Sequence, residues 1–262
     1  MKARALTIAG SDPGGGAGIQ ADLKTFAAFG VYGLSAVTSV TVQNTLGFRG
    51  ALAVPPAVVA GQVDAGLSDI GADAVKTGML VSAPVVRAVA GRLRAARVTK
   101  LVVDPVMRAK DGSPLLEPRA AAALTKELLP LALVVTPNAP EAERLTGLKV
   151  GNASGARRAA RAIRALGPAF VLVKGGHLDG PVCEDLLFDG SSFSALRSPR
   201  ADTGHTHGTG CTLSAAIAAG LALGLDVPAA VRRAKRYVTG AIRNAPCLGK
   251  GAGPLEHFWE GR

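Results

Sequence analysis

Leu101-Val102-Val103-Asp104-Pro105 is a short apolar run that stops on a carboxylate and a proline. The arrangement returns twice. Residues 131–136 stop at Pro137-Asn138, and residues 170–173 stop at Lys174-Gly175-Gly176. Short runs that are apolar throughout suit strands covered on both faces. Working outward, strands are also expected at 5–9, 34–42 and 74–77, with a strand pair at 183–188 and 192–196 turning at Asp189-Gly190. Helical stretches are expected at 19–29, 57–67, 83–96, 211–223 and 227–243. This alternation predicts an α/β fold with a central, mostly parallel sheet flanked by helices on both faces. Polar and glycine residues collect at the carboxyl ends of the strands, the edge where open α/β sheets bind ligands. No repeat or low-complexity linker interrupts the pattern, so residues 1–262 are expected to form a single domain.

The composition agrees. Of 262 residues 48% are hydrophobic but only 4% aromatic, so the core must be built from Ala, Leu and Val. The three cysteines, Cys183, Cys211 and Cys247, are widely spaced and form neither a disulfide framework nor a zinc-ligand set. A reducing, cytoplasmic location is expected. The first residues lack a long apolar core with a cleavage site, and no run reaches 18 apolar residues, so neither a leader nor a membrane span is expected. The formal charge of +11 raises the question of nucleic acid. The arginines are scattered along helices, however, and one Trp and two Tyr offer no stacking platform. No nucleic-acid partner is expected; the positive field would instead help recruit a small polyanion.

Two glycine loops carry the functional signal. Gly16-x-Gly18-x-x-Ala21 matches a dinucleotide fingerprint in form, but no Asp or Glu occurs between Asp22 and Asp64 to hold a ribose. No Walker A loop is present either. A tight turn needs no ligand, yet it explains so many glycines poorly. Thr206-His207-Gly208-Thr209-Gly210-Cys211 precedes an Ala-rich helix, where unpaired amides and the helix dipole would make an anion site. Such a site suits a transferring phosphoryl group. Cys211 at the helix start would have its thiolate favoured and could serve as a base; equally, it could be a small buried helix residue. His205 and His207 lack a third ligand for zinc.

Asp104 and Glu141 both follow strands, so the two carboxylates could hold Mg²⁺ beside nucleotide phosphates. The plainer readings are a strand-end turn and a favourable first-turn charge. Lys174 is placed to meet a phosphate, or is simply a solvated loop lysine. Gln43 offers an amide donor and acceptor side by side, the complement of an aminopyrimidine edge; a turn-capping role fits as well.

These residues together resemble the hydroxymethylpyrimidine and phosphomethylpyrimidine kinases of thiamine biosynthesis. The likeness runs nearly end to end. It is carried by residues 9–24, Gln43-Asn44-Thr45, Lys76-Thr77-Gly78-Met79-Leu80, Asp104-Pro105-Val106-Met107, Thr136-Pro137-Asn138, Lys174-Gly175-Gly176-His177, the block from His205 to Cys211, and Gly253-Pro254-Leu255. The resemblance implies a ribokinase-like fold, a homodimer, and ATP with Mg²⁺. It implies that Gln43 binds the aminopyrimidine, that Gly10, Ala17, Val42, Met79 and Val106 line its pocket, and that Asp22 lies near the hydroxymethyl group. Gly208, Thr209, Gly210 and Cys211 would form the anion hole with Cys211 as base, beside Lys174. Both successive phosphorylations of the pyrimidine are then expected. A pyridoxal or pyridoxine kinase of the same fold is the alternative, and a non-catalytic pyrimidine sensor is the alternative from another class.

Overall fold

The computed structural model describes residues 1–177 and 180–261; the side chain of His177 lies outside the described residues. The strands are β1 (Arg4–Ala9), β2 (Tyr32–Val37), β3 (Ser39–Asn44), β4 (Gly47–Ala53), β5 (Ala74–Thr77), β6 (Leu101–Val103), β7 (Val134–Val135), β8 (Phe170–Val173), β9 (Val182–Phe188) and β10 (Phe193–Pro199). The α-helices are α1 (Gly18–Ala28), α2 (Pro56–Asp69), α3 (Ala83–Ala95), α4 (Pro118–Ala123), α5 (Ala139–Thr146), α6 (Ala153–Arg164), α7 (Thr209–Ala222) and α8 (Val227–Arg243). Eight strands make one sheet in the order β10-β9-β8-β7-β6-β5-β1-β2. It is parallel from β2 to β8, with β9 and β10 antiparallel at one edge. This is the ribokinase-like α/β architecture. Among the described residues no helix is long and apolar enough to cross a membrane.

Strand alternation divides the core in two. Leu6, Val75, Val103, Val135 and Val171 pack with residues of α2, α3 and α6 on one face. Ala5, Ala74, Val102, Val134 and Leu172 pack beneath α1, α7 and α8 on the other. Two positions beyond this second set stand Thr7, Lys76, Asp104, Thr136 and Lys174. The period of two carries them to the same α1/α7/α8 face, at the carboxyl ends of successive strands. Helix α7 is apolar all round and buried from Thr212 to Leu221, which suits an element enclosed on every side. Its start is therefore held rigidly over those five polar residues.

Two expectations need correction. The strand expected over 34–42 breaks at Thr38. There the Gln62 amide takes the Val37 N–H and C=O (2.9 and 3.0 Å), so the sheet edge closes. The Thr38 hydroxyl donates to the Met79 carbonyl (2.6 Å), and the chain leaves the sheet as β3. With β4, which sequence reading missed, β3 forms a separate antiparallel hairpin. The strand expected over 131–136 shrinks to Val134–Val135, because Leu129–Leu131, with Pro130, forms a tight helical turn.

Candidate active site

The first glycine loop is organised around Asp12, which is 1% exposed. Its carboxylate accepts the N–H groups of Gly14 (2.9 Å), Gly16 (3.0 Å) and Ala17 (2.8 Å). It also meets His207 Nε2 at 2.9 Å. A carboxylate only accepts, so Nε2 carries the proton in this contact. Burial pushes the Asp12 carboxyl up, but His207 and the loop amides outweigh it and hold the group below its usual range. Asp12 thereby ties the first loop to the second. Gly208 completes the approach: its φ is +80°, and a Cβ there would lie 1.7 Å from the Gly16 carbonyl oxygen. Sequence reading missed the Asp12–His207 pair, whose partners stand 195 residues apart.

The floor beneath is charged. Asp22 and Lys76 are wholly buried, with Nζ 2.7 Å from Oδ2. The Thr7 hydroxyl donates to the same oxygen (2.6 Å). Burial raises the Asp22 carboxyl, more than Lys76 and Thr7 lower it. Burial lowers Lys76, but Asp22, Cys211 and Asp104 around it raise the ammonium above its ordinary range. Asp22 therefore lies under the site rather than on its surface. The sequence alone assigns Lys76 no role.

Next along the sheet edge, Asp104 Oδ1 accepts from Lys174 Nζ (2.8 Å) and from the Thr136 hydroxyl (3.2 Å). Lys174 also faces Glu141 Oε2 at 3.8 Å. Burial works against the Lys174 charge, yet the two carboxylates hold its ammonium above the usual range. Glu141 closes a capping box on α5, exchanging bonds with Asn138 at 2.8 and 2.9 Å. Burial pushes the Glu141 carboxyl up to about 7, with Asp104 adding to the rise and Lys174 opposing it. Among the described residues no group of three or more His, Cys, Asp or Glu side chains could hold a metal. Two hard carboxylates suit an ion such as Mg²⁺, which keeps waters and takes phosphate oxygens as its other ligands.

Helix α7 opens onto this cluster. Its ladder begins at Thr212, whose N–H donates to the Gly208 carbonyl (2.8 Å), so the helix leaves the amides of Gly210 and Cys211 over. The Thr209 hydroxyl is turned back onto the Thr206 carbonyl (2.8 Å). A Cβ at Gly210 would lie 3.3 Å from Lys174 Nζ and 3.7 Å from Asp104 Oδ2. The helix start and the strand-end charges are thus in contact. Cys211 is half-buried, and desolvation deep in the cleft pushes its thiol up to about 11. Burial thus acts on the thiol in the direction opposite to that expected of the helix terminus.

The hairpin brings the remaining residues. Thr41 is buried and Gln43 half-buried on one face of β3, and Gln43 Nε2 donates to the Thr41 hydroxyl (3.1 Å). That hydroxyl in turn donates to the Ser11 carbonyl (2.8 Å), joining hairpin to first loop. Val42 is 59% exposed. The β3–β4 register shifts between Val42 and Gln43, a bulge at the step that joins the two residues. Gly10 lies against Ser39 and Met79, since a Cβ would meet Ser39 Oγ at 2.6 Å and Met79 Sδ at 3.2 Å. Ala17, Met79 and Val106 are half-buried around this cleft.

A helix start with spare amides, next to a lysine and two carboxylates, is equipped for moving a phosphoryl group. The family described as phosphomethylpyrimidine kinase matches residues 12–256. The chain belongs to that family. It is 53% identical to the hydroxymethylpyrimidine/phosphomethylpyrimidine kinase of Streptomyces coelicolor over 254 residues, covering 97% of this chain and 94% of that protein. It is also 53% identical to the thiamine biosynthesis bifunctional protein ThiED of Geobacter sulfurreducens, covering 97% of this chain but spanning only 52% of that relative. Among solved structures, the pyridoxal kinase of Staphylococcus aureus in complex with AMP-PCP and pyridoxal superposes with a TM-score of 0.93 at 37% identity, covering 100% of this chain and 96% of that one. The phosphomethylpyrimidine kinase of Clostridium difficile gives 0.82 at 45% identity, covering 92% and 100%.

Proposed function

We propose that this chain transfers the γ-phosphoryl group of ATP to 4-amino-5-hydroxymethyl-2-methylpyrimidine, and then phosphorylates the resulting monophosphate, as one kinase domain over residues 1–262. The observation that carries the reading is the contact between the α7 start and the Lys174–Asp104–Glu141 cluster. Phosphoryl transfer is largely dissociative, so positioning and charge stabilisation supply most of the rate. The amides of Gly208 to Cys211 would receive the developing charge and Lys174 would balance it. Asp104 and Glu141 would hold Mg²⁺, directly or through water; when bound, the ion neutralises charge on the donor phosphates. Gln43 would read the ring nitrogen and amine of the pyrimidine, with Gly10, Ala17, Met79 and Val106 beside it. Asp22 would act from beneath the hydroxymethyl group.

Cys211 would take the alcohol proton on Sγ late in the transfer. Burial pushes its thiol up to about 11, with Lys76 opposing the rise. Cys211→Ala should therefore cut turnover far more than pyrimidine affinity; an unchanged kcat removes the base role. The chain would work in the cytoplasm as a homodimer, a reading supported by its three free cysteines and by an apolar face on the hairpin.

The vitamin B6 alternative draws support from the pyridoxal kinase structures, at 37–38% identity. Pyrimidine kinase relatives at 48–53% favour the first reading. A product assay with Mg-ATP and the pyrimidine, with pyridoxine in parallel, separates them. Mono- and then diphosphate from the pyrimidine supports the proposal, and phosphate on pyridoxine alone overturns the substrate and the role of Gln43.

A further inference from the structure

The loop after β6 carries a lysine whose charge is left unmet. Lys76 and Lys174 are each paired with a carboxylate, at 2.7 and 2.8 Å. Lys110 Nζ instead donates to two neutral oxygens, the Gly204 carbonyl (3.3 Å) and the Thr206 hydroxyl, and to no carboxylate among the described residues. The loop is held in place on both sides of this lysine. On one side, the Thr206 carbonyl takes the Thr209 hydroxyl at the start of α7 (2.8 Å). On the other, Asp111 accepts the Phe48 N–H (2.8 Å), and Phe48 stands directly opposite Gln43 in the β3–β4 register. An isolated bridge between Arg108 and Pro114 closes the loop on itself. Lys110 therefore lies between the hairpin that presents Gln43 and the helix start. Lys174 lies the other way, because β6 stands between β8, which leads to Lys174, and β2, which leads to the hairpin.

We propose that Lys110 is the specificity-determining residue of the second phosphorylation, binding the phosphate that the pyrimidine monophosphate brings as acceptor. The proposal deepens the two-step reading above and rests on it. The two acceptors share a ring and differ by one group: the alcohol is neutral, and its monophosphate carries about two negative charges at neutral pH. Lys174 and the α7 amides serve the transferring phosphoryl in both steps. The acceptor's own phosphate needs a further cation, or the two phosphates brought together repel one another. Lys110 stands on the acceptor side with an ammonium on a flexible four-carbon stem. It keeps its bonds to Gly204 and Thr206 in the first step and turns to the phosphate in the second. Desolvation lowers the ammonium below its ordinary range, and a negative partner restores the charged form. In this second step an unprotonated oxygen of the acceptor's phosphate forms the new bond to the γ-phosphorus. The bond from that phosphorus to the leaving ADP oxygen breaks, and no proton has to move.

The test is titration calorimetry on the parent and on Lys110→Met, with Lys110→Ala in its place should the first variant fold poorly. Three ligands are titrated separately: 4-amino-5-hydroxymethyl-2-methylpyrimidine, its monophosphate, and Mg-ADP. Loss of the ammonium should weaken the monophosphate by about tenfold or more, the effect of losing a hydrogen bond to a charged group. Affinity for the alcohol and for Mg-ADP should stay at the parent's value. In turnover, kcat/KM for the monophosphate should fall by the same factor relative to kcat/KM for the alcohol. Equal losses for both pyrimidines would make Lys110 a brace between loops and overturn the proposal, as would no loss for either. A loss confined to Mg-ADP would place Lys110 on the donor and overturn it too, and so would a parent that binds the alcohol but not the monophosphate. A parent that binds neither pyrimidine sinks the substrate reading itself, a result distinct from all of these.

Discussion

Gly208 is the residue on which the two loops meet. Its left-handed backbone, φ +80°, would strain an L-residue by about 1–2 kcal/mol. The larger obstacle is the Gly16 carbonyl, 1.7 Å from where a Cβ would stand. Gly208→Ala must therefore part the loops and swing the amides of Gly210 and Cys211 off their target. Turnover should fall on the order of 10²–10³-fold, as for a lost oxyanion donor, with a small drop in melting temperature. Steady-state kinetics and a thermal melt check both. Glu141 makes a prediction of the opposite kind. Its carboxyl is raised by burial from 4.5 to about 7 in the fold, so the native state binds the extra proton between those values. Stability from this group is present at the acid end and is lost as pH rises through about 7. Glu141→Gln keeps a capping-box side chain but never ionises. Without Mg²⁺, its melting temperature should gain on the parent's as pH climbs from 4.5 to 8, then run parallel. A constant difference across that range would show that Glu141 titrates normally.

At the level of elements, the strand ends were legible because a parallel sheet writes them as apolar runs stopping on one polar residue. Asp104, Lys174 and the start of α7 could be found this way, since each signal lies within a few residues of chain. The hairpin was not legible. β3 continues the apolar pattern of β2 without a turn signal, and what separates them is Gln62, a side chain 25 residues away. The Asp12–His207 tie was hidden for the same reason, its partners standing 195 residues apart. The missed hairpin matters because it presents Gln43. Held through Thr41 to Ser11, the Gln43 amide is steadied on the cleft side of β3. Gln43→Leu should weaken pyrimidine binding by about 1–3 kcal/mol, the penalty for a buried amine left unpaired. Titration calorimetry reads this directly, and unaltered affinity would reject Gln43 as the reader of the ring.

For the molecule as a whole, the outer face of the same hairpin is apolar in a chain whose formal charge is +11. Val40, Val42 and Leu52 are 52%, 59% and 74% exposed. Val40 stands directly opposite Leu52 in the β3–β4 register, and alternation puts Val42 beside them. A two-stranded hairpin outside the main sheet has little core of its own to hold it. A second copy laid on this face would cover the valines and fix the hairpin, provided the interface extends to about 800 Å² on each partner. The inner face would then be steadied by the outer one, linking association to Gln43. Val40→Glu with Leu52→Glu should therefore convert a dimer to a monomer in sedimentation velocity. The same change should raise the KM for the pyrimidine several-fold while kcat falls little, since the α7 start and Lys174 lie elsewhere. Dilution of the parent enzyme should reproduce the rise in KM at the concentration where the dimer separates. If the parent already sediments as a monomer, or the variant still pairs, the hairpin face is not the contact and its valines must be covered by something else.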